Sequence, residues 1–108
     1  MPVYNKLVRD RIPEIIEKDQ KTCHTIVLDA QRFEIELKRK LEEELLEYKQ
    51  ASSNEEALEE LADILELMHA LAEVHEADMN KVEEIRQKKA AVRGGFKNRI
   101  FLVEVEDE

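Results

Sequence analysis

The sequence predicts a mainly helical bundle with a small β addition, folded as a single domain over residues 1–108. Three observations carry this expectation. Leu, Ile, Ala, Glu and Lys dominate the chain, a composition that favours helix. Two Gly and two Pro are too few for a β sandwich or barrel, which turns about every ten residues. Apolar residues recur at helical spacing through two long stretches, and two short β-branched runs interrupt that pattern.

The elements follow in order. Residues 1–20 read as an extended entry and then a brief helix around Ile12–Lys18. Pro13 fits its first turn, where no intrahelical N–H is needed. Thr22–Leu28, short and β-branched, predicts a strand. Asp29 is placed to cap a long helix reaching about Gln50, because its carboxylate can take one of the free first-turn N–H groups. Ser53 and Glu56 have capping-box spacing and open a third helix to about Val74. Asp78 caps a fourth, ending near Val92, where Gly94-Gly95 stops it. Arg99–Val105 predicts a second short strand, available to pair with the first.

Charge narrows the function classes. The chain carries 26 acids against 17 bases, a formal net charge of −9. That balance argues against binding a nucleic-acid polymer, which needs a basic footprint. No apolar run approaches the roughly 18 residues of a membrane span, and Met1-Pro2-Val3-Tyr4 does not read as a signal peptide. Cys23 stands alone, so no disulfide framework or cysteine zinc site is expected, and a cytoplasmic location follows by default. The charges are also segregated. From Leu41 to Asn80 there are 13 acids and one base, Lys49. From Lys81 to Arg99 there are seven bases against Glu83 and Glu84, and Lys6, Arg9 and Arg11 form a second basic cluster. Solvated helix faces account for most of these residues.

A helical wheel separates the acids that need another account. With Phe33 at zero, Leu37, Tyr48, Leu41 and Leu45 fall between about 40° and 120°, and Glu44 lies inside the stripe at about 20°. Glu47 and Glu43 flank its edge. On the third helix Glu60 falls between Leu67 and Leu71, with Asp63 one turn on at the stripe's margin. A salt bridge or an acid reaching outward is the plainer explanation, but the segment offers only Lys49 as a partner. Two carboxylate pairs at i, i+3 on antiparallel neighbours would converge on one point. Oxygen-only ligands of this kind suit a hard cation, Mg²⁺ or Mn²⁺, rather than zinc. His24, His69 and His75 show no ligand spacing and read as structural or surface residues. Gly94-Gly95 reads as a helix stop, with a phosphate contact open because Arg93, Lys97 and Arg99 flank it.

The same residues resemble the all-α nucleoside triphosphate pyrophosphatase superfamily of MazG-like and phosphoribosyl-ATP pyrophosphohydrolase-like proteins. Its helical signature is EExxE followed by ExxD. Glu43, Glu44 and Glu47 match the first part; Glu60 and Asp63 match the second. The flanks Tyr4-Asn5-Lys6-Leu7-Val8-Arg9-Asp10-Arg11-Ile12-Pro13 and Arg93-Gly94-Gly95-Phe96-Lys97-Asn98-Arg99-Ile100 are similar to both ends of a small single-domain, house-cleaning subgroup. One departure is Ala62, where many MazG proteins have Gly; no ligand is lost by it.

The resemblance implies Mg²⁺-dependent hydrolysis of a nucleoside triphosphate to monophosphate and pyrophosphate. In that scheme Glu44, Glu47, Glu60 and Asp63 hold the metal, and Glu43 or Glu44 accepts a proton from water. Lys6, Arg9, Arg93, Lys97 and Arg99 are the candidates for holding phosphate oxygens, and Tyr4 and Phe96 for lining a base pocket. Two alternatives stand beside this: phosphoribosyl-ATP as a dedicated substrate, and a non-enzymatic helical dimer with an interaction or regulatory role. The resemblance also implies an oligomer, a dimer or dimer of dimers. The wheel independently predicts at least a dimer, because the third helix has an apolar arc of about 200° and Ile35 and Leu46 lie opposite the second helix's stripe.

Overall fold

Three side-chain caps set where the longer helices begin. In a computed structural model that describes residues 2–106, Asp29 Oδ1 accepts from the Arg32 N–H at 2.8 Å. Ser53 Oγ accepts from the Glu56 N–H at 3.1 Å, and Asp78 Oδ1 from the Lys81 N–H at 3.1 Å. They open α2 (Ala30–Lys49), α3 (Asn54–Val74) and α4 (Met79–Arg93), which follow a short α1 (Ile12–Lys18) with Pro13 in its first turn. The return bond of the capping box goes one residue early: Glu56 accepts from the Ser52 backbone N–H at 3.1 Å and its hydroxyl at 3.0 Å.

Two helix ends use a device that composition hides. Gln20 (φ 61) and Glu76 (φ 60) take the left-handed conformation just past α1 and α3. The next residue then donates back, Lys21 N–H to Ile16 at 3.3 Å and Ala77 N–H to Ala72 at 2.9 Å. These close the free carbonyls as a glycine-type stop would, without glycine. At the end of α4, Gly94 (φ 82) donates to the Ala90 carbonyl at 2.8 Å.

The four residues between α2 and α3 are too few for anything but an antiparallel return, and these two helices pack along their length. His75, after α3, accordingly lies close enough to Glu34, near the start of α2, to add to the stronger pull of Lys38 in holding that carboxyl below its ordinary range. The buried apolar side chains, Leu37, Leu67 and Ala72, all belong to this hairpin. Among the described residues, α4 leans on α3 alone, and α1 packs on no other helix. No helix among the described residues is long and apolar enough to cross a membrane.

The predicted strands are not present: among the described residues the chain is helical with irregular connections. A strand needs a neighbour to satisfy its backbone, and neither segment has one. Val27 is fully exposed, and Ile100 and Val103 are 85 % and 84 % exposed. Arg99, the proposed first residue of the second strand, is instead left-handed (φ 57) and closes a turn onto Phe96. From Ala91 to Glu106 every residue is exposed.

The chain is open in shape. Its radius of gyration is 18.6 Å, against about 13 Å for a compact chain of this length. It exposes 10277 Å², where a compact monomer of 12.7 kDa exposes about 6,200 Å². Part of that excess is apolar: Leu58, Leu61 and Leu65 on α3 and Ile35 and Leu46 on α2 are all exposed.

Candidate metal centre

The α2–α3 hairpin brings three carboxylates together. Glu44 sits on the buried face of α2 at 7 % exposure, because it shares the stripe that seats Leu37. Glu47 is one turn further on, and Glu60 faces both from α3. One oxygen from each of Glu44, Glu47 and Glu60 lies within 4.8 Å of the other two. Glu44 Oε2 and Glu60 Oε2 are both buried without a hydrogen-bond partner. Each such oxygen has left water for nothing, which is unfavourable unless a proton or cation supplies what water did.

Electrostatics agree with the geometry. Burial pushes the Glu44 carboxyl up to about 8. A proton shared with Glu60 and Glu47 adds to this, as do the negative charges of Glu47 and Asp63. Lys40 Nζ stands 3.7 Å from Glu44 Oε1, beyond hydrogen-bond reach. Without a cation, Glu44 therefore carries a proton near neutral pH, and Glu60 is its natural acceptor.

The remaining sequence-predicted residues fall into two groups. Asp63 lies one turn from Glu60, but its Oδ1 takes the Arg9 guanidinium at 2.7 Å and does not belong to the converging triad. Glu43 lies beside the triad between two lysines, Lys6 at 3.5 Å and Lys40 at 3.6 Å. Lys6 and Arg9 are thus at the site, on carboxylates. Arg93, Lys97 and Arg99 are exposed and make no ion pair among the described residues. Tyr4 and Phe96 are 71 % and 98 % exposed.

Lys40 escaped the sequence reading. It lies one residue before the acid-rich window, and the i, i+3 and i, i+4 spacing to Glu43 and Glu44 was the signal that could have found it. Lys49, the base inside that window, makes no ion pair among the described residues.

The donor set is all oxygen, from flexible carboxylates on two rigid helices. It could hold a hard divalent cation and leave positions open for phosphate or water. Comparison with family models, curated proteins and solved structures finds no match to this chain.

Proposed function

We propose that the protein is a Mg²⁺-dependent nucleoside triphosphate pyrophosphohydrolase, with Mn²⁺ as a workable substitute, that clears noncanonical nucleotides. The observation that carries this reading is the convergence of Glu44, Glu47 and Glu60, in which Glu44 and Glu60 each keep a buried oxygen without a hydrogen-bond partner. The nearest base, Lys40, reaches only the other oxygen of Glu44, at 3.7 Å, and leaves both of these unfilled. The signature carboxylates Glu43 and Asp63 border the same point, and the basic residues Lys6 and Arg9 are already beside it.

Glu44, Glu47 and Glu60 would hold the cation, with Asp63 joining when Arg9 leaves it. When bound, the cation neutralises phosphate charge and makes water more acidic. Glu43 or Glu44 accepts the proton as water attacks the α-phosphorus in line. The bond between that phosphorus and the bridging oxygen breaks, and the electron pair leaves with pyrophosphate. Lys6 and Arg9 are close enough to take up phosphate oxygens. Arg93, Lys97 and Arg99 would contribute from the exposed C-terminal run.

The test is pyrophosphate release from a panel of canonical and damaged (d)NTPs and phosphoribosyl-ATP, with Mg²⁺ or Mn²⁺. Turnover of at least one triphosphate is expected, and Glu60→Gln should lower it by about a hundred-fold or more while keeping the helical signal. Silence across the whole panel refutes the enzyme, and wild-type rates in Glu60→Gln refute the ligand assignment. Preference for phosphoribosyl-ATP over every triphosphate would replace the substrate.

The working form in this reading is a homodimer or larger assembly. Each chain exposes about 4,000 Å² more than a compact monomer would, enough to supply an obligate interface, which buries about 2,000 Å² or more over both partners. The exposed leucines of α3 would form its apolar centre. Light scattering should give at least twice the 12.7 kDa chain mass at micromolar concentration; a monomer throughout would contradict this.

A further inference from the structure

Two ion pairs stand out by where they run. Lys6 to Glu43 (3.5 Å) and Arg9 to Asp63 (2.7 Å) link the N-terminal segment to α2 and α3. Every other ion pair among the described residues joins side chains three or four positions apart. Both long-range pairs end on carboxylates at the candidate metal centre. The segment has little else to hold it there: Val3 and Tyr4 are 77 % and 71 % exposed, and Val8 is 39 % exposed. Only Leu7 is partly covered. The chain kinks at Asn5 (φ 44), so Lys6 and Arg9 form a short strap, attached mainly through charge.

That attachment has a cost at the site. Asp63 lies one turn from Glu60, yet its Oδ1 is held by Arg9 and neither of its oxygens joins the converging set of Glu44, Glu47 and Glu60. A guanidinium binds carboxylate and phosphate in the same forked manner, so Arg9 loses little by exchanging one for the other. Exposed pairs of this kind are weak, which makes exchange easy. A polyphosphate approaching these acids alone would be repelled, whereas a cation arriving with it frees Lys6 and Arg9 to meet the phosphates.

We propose that the strap is a counter-ion carrier. Lys6 and Arg9 neutralise Glu43 and Asp63 while the centre holds no cation, and move onto the substrate's phosphates when a divalent cation on Glu44, Glu47 and Glu60 draws in Asp63 and supplies that positive charge. Arg9 is therefore a positioning residue for Asp63 first and a phosphate ligand second. This rests on the metal site proposed above, and it makes a prediction of opposite signs. Strap and cation compete for Asp63, so removing Arg9 strengthens binding of the cation alone. The same change weakens binding of triphosphate with the cation.

The experiment titrates the full chain with Mn²⁺ alone, wild type against Arg9→Gln. It then titrates both with a non-hydrolysable α,β-imido triphosphate at saturating Mn²⁺. Expected are Mn²⁺ binding about three- to five-fold tighter in Arg9→Gln and triphosphate binding about ten-fold or more weaker. Equal or weaker Mn²⁺ binding in the variant overturns the exchange, as does an unchanged triphosphate affinity. If wild type binds no Mn²⁺, the metal site itself fails and the exchange fails with it, so the two failures are told apart by the first titration.

Discussion

Replacing Glu44 by glutamine is expected to cost activity and add stability in the same protein. Turnover should fall by about a hundred-fold or more, the scale on which losing a charge-stabilising group at a reacting phosphate acts. The metal-free chain should meanwhile become harder to unfold. Glu44 titrates at about 8 in the folded chain against an ordinary 4.5. Between those values the native state keeps a proton that the unfolded state has released. Stability of the wild type therefore falls as pH rises through that window and levels off above it. Glutamine does not titrate, and its amide can donate to Glu60. The advantage of Glu44→Gln should be absent near pH 4.5 and reach on the order of 2–4 kcal/mol by about pH 8. Urea denaturation in chelator at several pH values measures it. A variant destabilised at every pH would mean that Glu44 is held by partners rather than starved of them.

The second large effect is the pH dependence of cation binding. A cation on Glu44 must displace the proton held there, and the groups around it decide how readily. Burial, Glu47 on α2, and Glu60 and Asp63 on α3 favour the proton, and the one base on Glu44's own helix that faces it, Lys40, stands 3.7 Å from its Oε1. With one proton released from a group titrating at about 8, apparent Mg²⁺ affinity should rise about fifty-fold between pH 6 and pH 8. The increase in melting temperature on adding Mg²⁺ should therefore be larger at pH 8 than at pH 6. Calorimetry in buffers of different ionisation enthalpy counts the protons directly, and close to one per cation is expected at pH 7. Binding that is indifferent to pH would show that the cation avoids Glu44.

The helices were legible because their signals are local. Asp29, Ser53 and Asp78 each bond a residue three positions away, so a cap can be read without knowing the fold. Glu44 and Glu60 were legible because an acid inside an apolar stripe contradicts its own helix. The two strands failed for the opposite reason. Their β-branched residues state a preference, but pairing depends on a distant segment that the chain does not bring alongside. The hold of Arg9 on Asp63 spans 54 positions, and no periodicity reaches that far. Lys40 stands immediately before the acid-rich stretch Leu41–Asn80, so the charge balance of that stretch does not reveal it.

The exposed C-terminal run has a further consequence. Ile100-Phe101-Leu102-Val103 is a short segment of high β propensity, without Pro or Gly, and is largely uncovered in a single chain. Segments of this kind stack edge to edge into fibrils when left free. Here charges bracket it closely, Lys97 and Arg99 before and Glu104 and Glu106 after. Such flanking charges act as gatekeepers, since stacked copies would place like charges on top of one another. Lys97 and Arg99 would thus oppose such stacking by charge repulsion, whatever else they touch.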